Sequence, residues 1–153
     1  MQAAWIHFDR KRYDSAADCY RSAAQTRPKS VDARVGLAKA YERLGSTDSA
    51  IRAFDKAIKL HGLDRQIAPV VLAQANLLNK TGRHGRALAL VESCQNAFRL
   101  TAGLECALGM ALAGDGRYDD AIEAFAHATG DAQYMDFAYE QIRRIKQLRH
   151  QNR

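Results

Sequence analysis

The sequence is poor in the residues that mark several functional classes. It has 3 cysteines, 2 prolines and 1 tryptophan in 153 residues. Cys19, Cys94 and Cys106 are odd in number and far apart, which excludes a disulfide scaffold, a metal knuckle and a redox CxxC pair. They read as buried, reduced thiols, which suits a reducing compartment. No stretch approaches the roughly 18 consecutive apolar residues of a membrane span. The first ten residues lack the basic start and long apolar run of a secretory signal, so a soluble, cytoplasmic protein is expected. With 47% hydrophobic and 26% charged residues, the chain is too apolar for a disordered tail. Its length suits about one domain.

Constellations for catalysis are scarce as well. His7, His61, His84, His127 and His150 are scattered, with no HExxH and no ligand spacing to a cysteine. Asp119 and Asp120 open a helix, where acids favour the dipole. The stretch from Gly109 to Gly116 follows a helix and not a strand, and no GKS or GKT follows it. No enzyme activity, cofactor or metal is expected.

What the chain does have is an internal period. Gly45, Gly82 and Gly116 each stand in a turn flanked by matching residues. Seven positions earlier are the small residues Ala38, Ala75 and Gly109; four earlier are the large Tyr41, Leu78 and Leu112. Five positions later comes alanine (Ala50, Ala87, Ala121), nine later Phe54, Val91 and Phe125, twelve later Ala57, Cys94 and Ala128. A degenerate copy precedes these, with Lys11 in the glycine's place and Ala4, His7, Ala16, Tyr20 and Ala23 at the same offsets. The turn centres lie 34, 37 and 34 residues apart. Each unit reads as two amphipathic helices around a tight turn, with glycine ending the first helix in a left-handed conformation. Asp14, Asp48 and Asp119 follow the turns, placed to cap or complement the second helix. Small residues are needed where helix backbones approach most closely.

This pattern resembles the tetratricopeptide repeat (TPR), a unit of about 34 residues. The copy nearest to it is Leu108-Gly109-x2-Leu112, then Ala121-x3-Phe125 and Ala128. The resemblance implies an all-α, right-handed superhelical array of antiparallel helix pairs. Four units would occupy residues 1–130: a truncated 1–30, then 31–64, 65–101 and 102–130. Only the first has the closing proline, Pro28; Gly62, Arg99 and Gln133 stand at the other sites. The third carries three extra residues around His61 to Gln66. Residues 131–153 would form a basic amphipathic capping helix with its stripe at Tyr134, Ala138, Ile142 (or Gln141), Ile145 and Leu148.

In a stacked array of this family the first helix of each unit lines the concave side. Projected here, that side holds Met1, Trp5, Phe8 and Asp9; Val35, Lys39, Glu42 and Arg43; Leu72, Asn76, Asn79 and Lys80; Cys106, Met110, Ala113 and Gly114. An apolar trough with a few polar posts suits an amphipathic helix or an extended peptide. Trp5, Phe8 and Met110 are the hot-spot candidates. Trp5 and Phe8 either face the groove or pack between the first two units, while Asn76 and Asn79 are placed to grip a peptide backbone. The Lys, Asn, Asn, Lys and Arg clamp of TPR co-chaperones for heat-shock tails is missing in both registers. Those sites hold Met1, Trp5, Gly36, Pro69 and Ala73, or Val35, Lys39, Ala73, Gly103 and Ala107.

The resemblance therefore implies a protein-interaction module, chaperone- or adaptor-like, binding a partner segment in the groove. A self-association reading stays open, because an exposed apolar trough can be buried by a second copy. An alternative is a targeting or regulatory segment of a larger enzyme or assembly machine, since the first unit opens inside its first helix. The net charge of +6 invites nucleic acid or an anionic surface. Arg143, Arg144, Lys146, Arg149 and Arg153 supply five of those charges, leaving +1 for residues 1–142. Nucleic acid is thus not an expected partner, and the basic end is its only candidate site. Ala50→Leu or Ala121→Leu should overpack the helix contact by about 1–3 kcal/mol. Urea denaturation reads this; an unchanged midpoint removes the close approach.

Overall fold

The computed structural model describes residues 1–151. Helices and turns make up its secondary structure, with no strand among the described residues. The chain groups into two compact units, residues 1–63 and a second beginning at Asp64. The first contains α1 (Gln2–Asp9), α2 (Tyr13–Thr26), α3 (Val31–Arg43) and α4 (Thr47–His61). The second contains α5 (Ala68–Lys80), α6 (His84–Gln95), α7 (Ala102–Gly114), α8 (Tyr118–Ala128) and α9 (Met135–Gln151). Within each unit every helix packs on the next, and α1 also meets α3, as α5 meets α7.

One turn geometry closes α1, α3, α5 and α7. Gly45, Gly82 and Gly116 have φ of 73°, 72° and 80°. The next residue then donates its N–H back to the large residue four before the glycine. These bonds are Ser46 to Tyr41, Arg83 to Leu78 and Arg117 to Leu112, each 2.9 Å. The degenerate copy does the same: Lys11 has φ 58°, and Arg12 donates to the His7 carbonyl at 2.9 Å. The 6→1 bond satisfies one of the carbonyls that a helix end leaves open. The second helix starts at once, its first bond running from Ala16, Ala50, Ala87 or Ala121 back to the residue after the turn centre.

Those four alanines have no exposed surface at all. Phe54, Val91 and Phe125 are buried beside them, as are Ala57, Cys94 and Ala128. Helix backbones meet where only a methyl group fits, and the large side chain one turn on fills the wider gap. Gly109 carries this furthest, since a Cβ there would lie 2.9 Å from the Phe125 ring. In the first unit Ala4, Ala16, Ala17, Tyr20 and Ala40 form the centre, with Phe8, Leu37 and Tyr41 packed against it.

Helix starts divide into two kinds. Ser30 accepts the Ala33 N–H at 3.2 Å, and Thr101 the Leu104 N–H at 3.4 Å, so α3 and α7 carry side-chain caps. Arg12, Ser46 and Arg117 precede α2, α4 and α8 without a side-chain cap. Asp14, Asp48 and Asp119 sit in the first turns of those helices, where they complement the helix dipole. The extra residues before α5 become a loop. Gly62 ends α4 at φ 89°, and the Asp64 carboxylate accepts the Gln66 and Ile67 N–H groups over a single 3-10 turn, Arg65–Ile67.

Along α9 the apolar stripe is only partly used. Ala138 and Ile145 are buried, Tyr134, Gln141 and Ile142 half-buried, and Leu148 is exposed. The Phe137 ring meets Phe125 of α8 edge-on at 6.2 Å. Arg149 pairs with Asp119 at the start of α8. No helix among the described residues is long and apolar enough to cross a membrane. Lys11→Gly should stabilise the chain by about 0.5–1 kcal/mol, because it relieves left-handed strain that outweighs the added freedom of the unfolded state. The denaturant midpoint checks this; a fall in stability would show that Lys11 sits unstrained.

Candidate peptide-binding faces

The first unit presents a cleft of about 300 Å³ between α1, α2 and α3. Trp5, Phe8, Val35 and Lys39 line it, together with Tyr20 and Gly36. Gly36 is what lets the cleft and the helix contact coexist. A Cβ there would come within 2.4 Å of the Tyr20 ring, so the ring lies directly on the α3 backbone. Trp5 is 63% exposed, although it is the largest side chain in the sequence. Phe8 divides its surface: it is half-buried, packs against the core, and meets Tyr13 edge-on at 5.3 Å. Of the two open alternatives for these residues, Trp5 faces outward and Phe8 packs inward on one side. Val35 is half-buried, and Lys39, Glu42 and Arg43 are exposed further along α3.

In the second unit Asn76 and Lys80 are exposed on α5, Leu72 is half-buried, and Met110 of α7 is 37% exposed. Two residues expected on this face are not available to a partner. Asn79 is 5% exposed, and its Nδ2 donates to the Ala107 carbonyl at 2.8 Å. Its Oδ1 lies 3.4 Å from His84 Nδ1. The His84 ring in turn covers Gly114, where a Cβ would meet it at 2.4 Å. Asn79 therefore ties α5 to α7 and α6 from inside, the usual fate of an amide in a helix contact. Cys106 is 4% exposed, and burial, aided by Glu105 and Asp131, pushes its thiol up to about 11. It is an inert core thiol. Cys94 is buried with it, while Cys19 is half-buried.

The basic end is less free than its sequence suggests. Arg143 pairs with Glu140 and Arg149 with Asp119, which leaves Arg144 and Lys146 as exposed cations with no ion pair among the described residues. Arg153 lies outside the described residues.

Two further clefts escape the sequence reading. One, about 390 Å³, lies between α2, α3 and α4 and gathers Arg21, Arg34, Arg52 and Lys56. The other, about 720 Å³, is lined by Arg65, Arg99, Thr101, Glu105, His127 and Asp131. There the half-buried Glu105 carboxyl sits above its usual range because of desolvation, opposed by His127, whose Nδ1 is 3.7 Å away, and by Arg99. Groups scattered over tens of residues leave no local motif. The Trp5 cleft, by contrast, had one signal in Gly36, a glycine inside a helical pattern, which marks a close approach.

Stacked two-helix units joined by left-handed turns define a helical-repeat protein. Residues 1–70 match the family model described as Tetratricopeptide repeat. Solved structures share the fold. MamA aligns with a TM-score of 0.84 and 19% identity over 98% of this chain and 86% of its own. YrrB, described as a TPR protein with an unusual peptide-binding site, aligns at 0.76 and 18% over 96% and 74%. A thermophilic TPR protein of Thermus thermophilus aligns at 0.69 and 17% over 93% and 77%. Among curated proteins none matches the sequence.

Asn79→Ala should cost about 1–3 kcal/mol, since it leaves the Ala107 carbonyl buried without its donor. Thermal melting reads this; an unshifted melt would return Asn79 to the surface contacts.

Proposed function

We propose that this protein is an interaction module that holds a peptide or helix of a partner protein against the first helices of its repeats. The observation that carries the reading is the α1–α3 cleft with Trp5 standing 63% exposed at its edge. An indole left in water at a cleft mouth, beside Met1, Val35 and the aromatic Phe8, is the arrangement of an interface anchor. Lys39 and Asp32 bound the same cleft and supply charge of both signs at the rim. The exposed Asn76, Lys80 and Met110 extend the reading to the second unit. YrrB's peptide-binding description supports the same class of partner for this fold. An adaptor- or chaperone-like role in assembling a complex is the form such a module takes when the held segment is apolar.

The protein's 1 tryptophan makes the test direct. Peptides tiled across a partner recovered from the native cell are titrated while Trp5 emission is followed. The binding peptide should shift that emission to the blue. Trp5→Ala should then weaken a fluorescently labelled copy of the peptide by roughly 30-fold, the size of a hot-spot loss of about 2 kcal/mol. Helix content should stay unchanged. Asn76→Ala with Lys80→Ala should also weaken binding without altering the melt; full strength in that variant confines the site to the first unit. Equal affinity of Trp5→Ala and the parent overturns the cleft as the site. Light scattering over a dilution series separates a foreign partner from a second copy of the chain.

A further inference from the structure

The sequence places its excess charge at the end of the chain, yet the first unit holds a separate concentration of cations. Arg21 on α2, Arg34 on α3, and Arg52 and Lys56 on α4 converge on the 390 Å³ cleft, and no carboxylate lines it among the described residues. Like charges gathered in a concave site raise the local potential and favour an anion there. The volume falls within the range of sites that enclose a small ligand.

Three of these cations are held in place. Arg34 donates to the Pro28 carbonyl at 2.8 Å, and Arg52 donates to Ser49 Oγ at 3.1 Å. Arg21 donates to Tyr41 Oη at 3.1 Å and pairs with Asp18 at 2.5 Å, a residue outside the cleft lining. A guanidinium has five N–H donors, and these bonds occupy one or two on each. The remaining donors are pre-oriented, which lowers the ordering cost of binding. The rest of the wall is Ala24, Leu37, Ala53 and the Tyr41 side chain, an apolar surface interrupted by the polar Gln25 and Ser49.

We propose that this cleft is a binding site for a phosphate monoester carried on a protein side chain. A phosphomonoester brings a charge of about −1.5 to −2 and three acceptor oxygens. That matches several forked donors better than a single carboxylate does. The apolar wall receives the carbon stem that bears the phosphate. Nucleic acid fits poorly, because it needs a continuous basic stripe and this is a compact cluster on one unit. The cleft involves α4 and leaves out α1, and it shares no lining residue with the Trp5 cleft.

The test is a titration of the full chain, observed by NMR of the arginine side-chain N–H signals. Four probes are used: a phosphoserine peptide of otherwise neutral sequence, its unphosphorylated twin, inorganic phosphate, and vesicles containing phosphatidic acid. The phosphopeptide should move the signals of Arg21, Arg34 and Arg52, inorganic phosphate the same signals more weakly, and the twin none. Arg52→Gln and Lys56→Gln should each weaken the phosphopeptide by about tenfold with unchanged helix content, while Arg143→Gln leaves it unchanged. Arg34→Gln serves as a further variant if its melt is normal. Binding of inorganic phosphate at these arginines without the phosphopeptide overturns the side-chain source. Equal binding of the twin, shifts confined to the basic end, binding of vesicles alone, or full affinity in both Arg52→Gln and Lys56→Gln overturns the site.

Discussion

Each helix pair in this chain turns on the same few atoms. A residue in the left-handed region lets the next N–H reach back to a carbonyl five residues earlier, and the second helix begins immediately. Because the turn is so short, the backbone at the following alanine has no room to move away from its neighbour. Ala16, Ala50, Ala87 and Ala121 are therefore sealed, and the bulky positions one turn further on must fill the widening space. Glycine makes this conformation cheap at three of the turns. Lys11 adopts it as well, held by the same bond, which shows that packing of the pair outweighs the local preference of the residue.

The same close packing decides which side chains a partner could reach. Helical spacing put Asn76 and Asn79 on one face, yet three residues of helix rotate a side chain by about 300° and shift it along the axis. That difference leaves Asn76 in water and carries Asn79 into the seam, where Ala107 and His84 engage it. Cys106 meets a similar fate, and Met110, four residues on, does not. Gly36, Gly109 and Gly114 complete the picture from the other side, each lying under a ring from another helix. The faces presented to solvent are what remains after these internal claims are met.

Charge follows the same logic at longer range. The five cations of the last eleven residues were visible as a run, but Arg143 and Arg149 are partnered by Glu140 and Asp119. Exposed pairs of this kind contribute little to stability, though they do reduce the charge on offer. Meanwhile Arg21, Arg34, Arg52 and Lys56 come from three helices and meet only because those helices stack. A nearly neutral net charge over residues 1–142 concealed a local concentration of one sign.

The sequence by itself determined the repeat, the turns and the buried positions, because each of these depends on residues only a few places apart. Glycine at the turn, alanine five later and an aromatic or branched residue nine later state their requirements locally, and the degenerate first copy obeyed them without its glycine. Asp14, Asp48 and Asp119 are legible for the same reason. Tertiary structure alone decided that Asn79 is spent inside while Trp5 stands outside, and that four cations share one cleft. Those outcomes depend on how neighbouring helices rotate and cross. Helix rotation is set by the summed fit of many side chains from different helices, and no local spacing records it.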